Sequence, residues 1–131
     1  MQLTIGTANY LRTNYASILE RTMDVLLSSV VRCNLMENVK ILNRSLESFD
    51  KTRDMLVTKY GKDGAIIPED DPESYSIVEK ELTDLMAENI EVNLNIMSLT
   101  YDETLKKLEM IDVPITQREL MSLELICKGS T

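Results

Sequence analysis

The chain has 131 residues, a mass of 14.9 kDa and a formal net charge of −8, which fits one domain spanning 1–131 and disfavours non-specific attraction to nucleic acid or to an anionic membrane. It contains no His, which excludes imidazole metal ligands, His acid–base chemistry and every Ser-His or Cys-His nucleophile pair. Eleven Asp and Glu residues against the single Lys80 fall within 65–103, whereas 1–64 is slightly basic and 104–131 is balanced.

Residues 2–6 alternate like a short strand, with Leu3 and Ile5 on one side. Thr7 is then placed to cap a helix over Ala8–Arg21, whose apolar positions Tyr10, Leu11, Tyr15, Ile18 and Leu19 recur at helical spacing. The dominant element follows. From Met23 to Tyr60 there is neither Pro nor Gly, and Leu27, Val31, Leu35, Val39, Leu42, Leu46, Phe49, Leu56 and Tyr60 form an apolar stripe of helical period. Glu47 and Lys51 stand in the favourable i,i+4 order on the opposite face. A straight helix of that span would be about 57 Å long at 1.5 Å per residue, well beyond the ~26 Å expected across a compact chain of this size. It must therefore break, with Arg32-Cys33-Asn34 the expected place, or project and find a partner.

Gly61 is expected to end this helix in the left-handed conformation, and Asp63-Gly64 is a turn signal. Ala65-Ile66-Ile67 is a short apolar patch, and Glu69-Asp70-Asp71 between Pro68 and Pro72 reads as a loop. Asp71, Pro72 and Glu73 then open a helix as N-cap, first-turn proline and dipole-facing acid. Its apolar face carries Tyr75, Val78, Leu82, Leu85 and Met86, to about Asn89. Residues 90–96 alternate strictly, Ile90, Val92, Leu94 and Ile96 against Glu91, Asn93 and Asn95, which predicts a half-buried strand paired with Leu3–Ile5 or with Ile111–Val113. Thr100 with Glu103, and Thr116 with Glu119, are capping-box patterns that open two short helices, the second stopped by Gly129. The fold class expected is mainly α: a long-helix hairpin, a small two- or three-stranded sheet and short C-terminal helices.

Site chemistry is sparse. Glu69, Asp70, Asp71 and Glu73 could gather oxygen ligands for Ca²⁺ or Mg²⁺, but the EF-hand spacing is missing and capping already explains Asp71. Glu79 with Glu81, and Glu88 with Glu91, have no apolar enclosure to split their pKa values. Gly61–Gly64 lacks the P-loop spacing. No catalytic residue, metal or cofactor is therefore expected. Cys33 and Cys127 form no CxxC pair and read as buried thiols. The start of the sequence does not read as a secretory signal, and no stretch approaches the ~20 apolar residues of a membrane span, so an intracellular setting is expected. Eight Met residues suit either irregular packing or adaptable contact surfaces, and Met55, off the main stripe, is the first to consider as a contact.

Together these landmarks resemble a loose group of small phage-encoded proteins of unknown function: a long early helix ending in Lys59-Tyr60-Gly61-Lys62-Asp63-Gly64, an acidic loop, a helix carrying Glu81-Leu82 and Leu85, the alternating Ile90–Leu94, and a last helix with Ile115–Leu120 and Leu123-Glu124. The resemblance covers most of the chain in layout and rests on turn and cap signals. It implies a compact non-enzymatic protein in the host cytoplasm or incorporated in the virion, and it carries no functional residue over. The function expected is a non-catalytic protein-interaction or virion/tail assembly protein, a homo-oligomer or part of a larger particle. Its partners would be its own copies or a virion or host protein, with neither nucleic acid nor membrane. Leu42, Phe49 and Met55 on the long helix, and the acidic Glu69, Asp70, Asp71 and Glu73, are the expected partner contacts. The alternative is an acidic inhibitor whose 65–103 segment occupies a basic site on a host or anti-phage defence protein.

Overall fold

Thr4 ends the first strand and starts the first helix. Its hydroxyl accepts the Thr7 N–H at 3.0 Å, so in this computed structural model, which describes residues 1–62, 65, 66 and 68–129, β1 (Gln2–Thr4) runs directly into α1 (Ile5–Arg21). Thr7 is thus the capped residue rather than the cap, and Ile5 is the first helical residue, buried in the core. Leu11, Tyr15 and Ile18 are buried as the spacing required, whereas Tyr10 faces solvent.

The expected long helix is two helices, α2 (Ser29–Ser45) and α3 (Glu47–Tyr60), preceded by a non-helical connection over 22–28. It does not break at Arg32–Asn34. Arg32 sits inside α2, and its guanidinium donates to the carbonyls of Thr22 (2.6 Å) and Val25 (3.3 Å). Those carbonyls lie in the chain leaving α1, so the residue assigned to the break instead fastens the connection ahead of it. The Thr22 hydroxyl also donates back to the Ile18 carbonyl at 2.6 Å, which tightens the end of α1. The second break is at Leu46, the hinge between α2 and α3, whose side chain is fully buried. The apolar stripe therefore stays continuous while the backbone turns.

Arg32 reaches Thr22 near one end of α1, and Arg12 reaches Asn43 and Asp50 near the other, so α1 and α2 run antiparallel. Arg12 holds Asp50 through two bonds of 2.7 and 2.9 Å, the bidentate geometry of a strong guanidinium–carboxylate pair, and this ties the start of α3 to α1. Folding the stripe against α1 buries Leu27, Val31, Leu35, Leu42, Leu46 and Phe49 in one core. Full burial of such a side chain is worth roughly 1.5–3 kcal/mol, enough to outweigh the helical bonds lost at two breaks.

α3 ends at Gly61, which is extended (φ −104°, ψ 179°) rather than left-handed. Glycine is needed there for space: a Cβ would lie 2.5 Å from the Ala65 carbonyl oxygen and 2.6 Å from that of Val57. Lys62 and Ala65 exchange two backbone bonds; Asp63, Gly64 and Ile67 lie outside the described residues. α4 (Pro72–Met86) begins as expected, with Asp71 as its cap and Pro72 in the first turn. β2 (Asn89–Glu91) pairs antiparallel with β1, Leu3 opposite Ile90, and Ile111–Val113 takes no part in the sheet. Both capping boxes form, opening α5 (Tyr101–Glu109) and α6 (Gln117–Glu124). Gly129 lies beyond α6 in the left-handed region (φ 80°) and does not end it. The fold is mainly α with a small two-stranded antiparallel sheet. Among the described residues no helix is long and apolar enough to cross a membrane.

Candidate functional site

The polar centre of the molecule is built from two asparagines one turn apart on the buried face of α2. Asn38 Oδ1 accepts the Asn95 N–H at 2.7 Å, and Asn38 Nδ2 donates to the Asn95 carbonyl at 2.9 Å. A side-chain amide thereby offers Asn95 the donor–acceptor pair that a neighbouring strand would offer. Asn34 Nδ2 donates a second bond to the same carbonyl at 2.9 Å, and Asn34 Oδ1 accepts from Asn38 Nδ2 at 2.8 Å. Further along, the Met97 N–H donates to the Ile126 carbonyl and the Lys128 N–H to the Leu99 carbonyl, both at 2.8 Å. Residues 95–99 are thus tied to α2 through Asn95 and to the C-terminal segment through Met97 and Leu99.

Beside this strap lies an open hollow of about 800 Å³ lined by Val30, Cys33, Glu37, Ile41, Leu94 and Ile96 among others. Glu37 is its one charged lining residue, and among the described residues it has no ion-pair partner. Cys33 is an exposed thiol in this lining, not a buried one. Cys127 is buried, its Sγ within bonding distance of the Leu123 carbonyl (3.1 Å) and the Thr104 hydroxyl (3.5 Å), and burial pushes its thiol up.

A second feature is apolar. Leu26 is 97% exposed and Met110 81% exposed, and the two line one surface hollow with Leu27, Ser28, Ser29 and Lys107. It joins the α1–α2 connection to the end of α5.

The expected contact residues separate. Leu42 and Phe49 are buried in the core between α1, α2 and α3; the turn at Leu46 lets the chain cover its own stripe, so neither can meet a partner in this fold. Met55 is 71% exposed on α3, over a shallow hollow with Thr52, Leu56 and Lys59. Glu69, Asp70, Asp71 and Glu73 are all exposed. Asp71 accepts the Ser74 N–H at 3.1 Å and its hydroxyl at 2.8 Å, bonds that hold its carboxyl below the ordinary range. Among the described residues no three acidic or thiol side chains converge in a metal-ligating arrangement. The Asn34/Asn38 pair was not singled out from the sequence. Its signal was present, because both residues fall on the same helical face as Val31, Leu35 and Leu42.

No protein-family model matches the chain, and comparison with curated proteins and with solved structures gives no match either.

Proposed function

We propose that this chain is a non-catalytic protein-interaction protein that works as an oligomer or within a larger assembly; the layout it shares with small phage-encoded proteins makes a virion or tail particle the setting to test. The observation that carries the reading is the apolar pair Leu26 and Met110, which lie almost wholly in solvent on either side of one hollow. Isolated exposed apolar residues are ordinary, whereas large ones grouped around a concavity are typical of contact surfaces. It supports a contact at the α1–α2 connection and α5 rather than on the long apolar stripe.

Light scattering at micromolar concentration tests it. Association beyond the 14.9 kDa chain, abolished in a folded Leu26→Ser/Met110→Ser variant, is the expected result. A monomer at every concentration that also fails to enter any particle would overturn the reading.

A second reading, an inhibitor of a basic site, is favoured by a separate observation: all eleven acidic residues within 65–103 are exposed, and among the described residues only Glu91 has a cationic partner, the chain's own N-terminus. Such a complex would weaken steeply with salt, because exposed charges are screened over about 8 Å at physiological ionic strength.

A further inference from the structure

We infer that the outer edge of β2, from Asn89 to Asn93, is a strand-addition site for an extended segment of a partner protein that alternates basic and apolar side chains. The inference rests on the interaction reading and gives one partner its chemistry.

The ladder decides which backbone groups are available. Leu3 stands opposite Ile90, Val92 N–H donates to the Met1 carbonyl at 2.8 Å, and Ile5 N–H donates to the Glu88 carbonyl at 2.8 Å. Residues 88, 90 and 92 therefore turn their peptide groups toward β1, and by the alternation of a strand Asn89, Glu91 and Asn93 turn theirs the other way. Among the described residues none of the backbone groups of Asn89, Glu91 and Asn93 has a hydrogen-bond partner, and all three residues are exposed. The edge is finite. At Asn95, the next residue facing outward, the Asn38 side chain occupies the place of a neighbouring strand. What remains open is a row of three outward-facing residues, and unpaired rows of this kind are templates for an added strand.

Charge selects the occupant. The exposed side of this edge carries Glu91, which pairs through one carboxylate oxygen with the chain's own N-terminus at 2.7 Å and keeps its side chain largely in solvent, with exposed Glu88 just before it. A second copy pairing edge to edge would set these carboxylates against their equivalents, on chains that each carry a net charge of −8, and like charges across a strand pair are destabilising. A segment with Lys or Arg on its outer face meets complementary charge instead. Its alternate, inward residues would run toward the hollow that begins at Asn93, where Ile41 and Leu94 offer apolar surface and Glu37 a further carboxylate.

The test uses the full chain labelled with ¹⁵N and a blocked hexapeptide alternating Lys with Val. Two controls accompany it: the same peptide with Glu for Lys, and the Lys peptide N-methylated on the edge-facing residues. Expected are shifts and slowed exchange at the amides of Asn89, Glu91 and Asn93, binding at least about tenfold weaker for the Glu peptide, and loss of binding on N-methylation. Glu91→Lys should reverse the peptide preference. Asn93→Pro, which removes a donor that has no partner among the described residues, should weaken binding and leave β1–β2 paired. No binding, equal binding of the N-methylated peptide, or shifts confined to the acidic residues of α4 would each overturn strand addition. These results are independent of the Leu26/Met110 experiment. Persistent association of the chain without peptide binding would refute the edge alone, and peptide binding by a strictly monomeric chain would refute the self-association surface alone.

Discussion

Replacing Asn38 with Ala should be among the most damaging single changes in α2. Asn38 is fully buried and makes three hydrogen bonds: one from the Asn95 N–H, one to the Asn95 carbonyl and one to Asn34 Oδ1. Each is worth about 1 kcal/mol net, and a buried group left unsatisfied costs a further ~1–3 kcal/mol. Asn34 still reaches the Asn95 carbonyl, so the Asn95 N–H is the main orphan, and the expected loss is about 3–4 kcal/mol. With a urea slope near 2 kcal/mol/M, the unfolding midpoint should fall by roughly 1.5–2 M. Asn38→Asp keeps an acceptor for the Asn95 N–H but faces Asn95 O and Asn34 Oδ1 with a carboxylate. Its folded-state pKa should therefore rise above the unfolded value, so this variant should regain stability as pH falls, where protonation supplies a donor. Urea titrations of both variants, with Asn93→Ala as the reference, read all of this. A loss under about 1 kcal/mol for Asn38→Ala, no larger than that of Asn93→Ala, would refute the view that this amide acts as a substitute strand.

Two further outcomes follow from the same geometry. Val92 is buried and Asn93 exposed, so Val92→Asp should cost several kcal/mol, about 3 or more, and Asn93→Asp within about 0.5 kcal/mol; equal losses by chemical denaturation would mean that the two faces are not distinguished. Hydrogen bonds from Arg12 hold Asp50 below the ordinary carboxylate range, and for Glu119 burial, which alone would raise it, is outweighed by bonds from Arg21 and Thr116. Both folded-state values are depressed, so their stabilisation is complete above the unfolded values near ~4 and is lost as pH falls through the folded ones. Arg21→Met strands Glu119, which is 3% exposed, and should be hurt more at pH 7 than at pH 4, where protonation removes the buried charge; thermal unfolding curves with the same pH profile in both proteins would count against this.

The elements most legible in the sequence are those whose signals are local. Asp71-Pro72, Thr100 with Glu103, and Thr116 with Glu119 form their caps as read, because a cap depends on a side chain and backbone groups within one turn. The alternation at 90–96 pointed to β2 and left two candidate partners, of which the segment around Leu3 is the one that pairs, although only Asn89–Glu91 is a strand. The last bond of the ladder runs from the Val92 N–H to the Met1 carbonyl, and further along the extended chain bonds instead to Asn38. The end of the first helix at Arg21 is legible; the extent of the connection over 22–28 and the break at Leu46 are not. Neither contains Pro or Gly, and both are imposed by tertiary contacts: Arg32 to the connection, and buried Leu46 with the Arg12–Asp50 pair at the second. Helical periodicity reports which residues share a face and is silent about a turn that preserves that face.

The same limit explains why the contact surface moved. An apolar stripe longer than the core needs a partner only if its helix runs straight, and Leu42 and Phe49 lie on that stripe. Once the backbone turns at Leu46, α1 and the stripe cover each other, and the argument from length no longer applies to either residue. What stays uncovered is what the stripe does not include: Leu26 in the connection, Met110 at the end of α5, and Met55 on the outer side of α3. The acidic segment, by contrast, is exposed because carboxylates are costly to bury, a property that needs no tertiary information. Its effect on binding nevertheless depends on the fold, which sets Glu91 on a strand edge whose outward peptide groups have no partner among the described residues. Charge alone would attract any cationic surface. Charge beside unpaired N–H and C=O groups at strand spacing favours an extended one, and that conjunction ties a sequence-level property to a specific kind of partner.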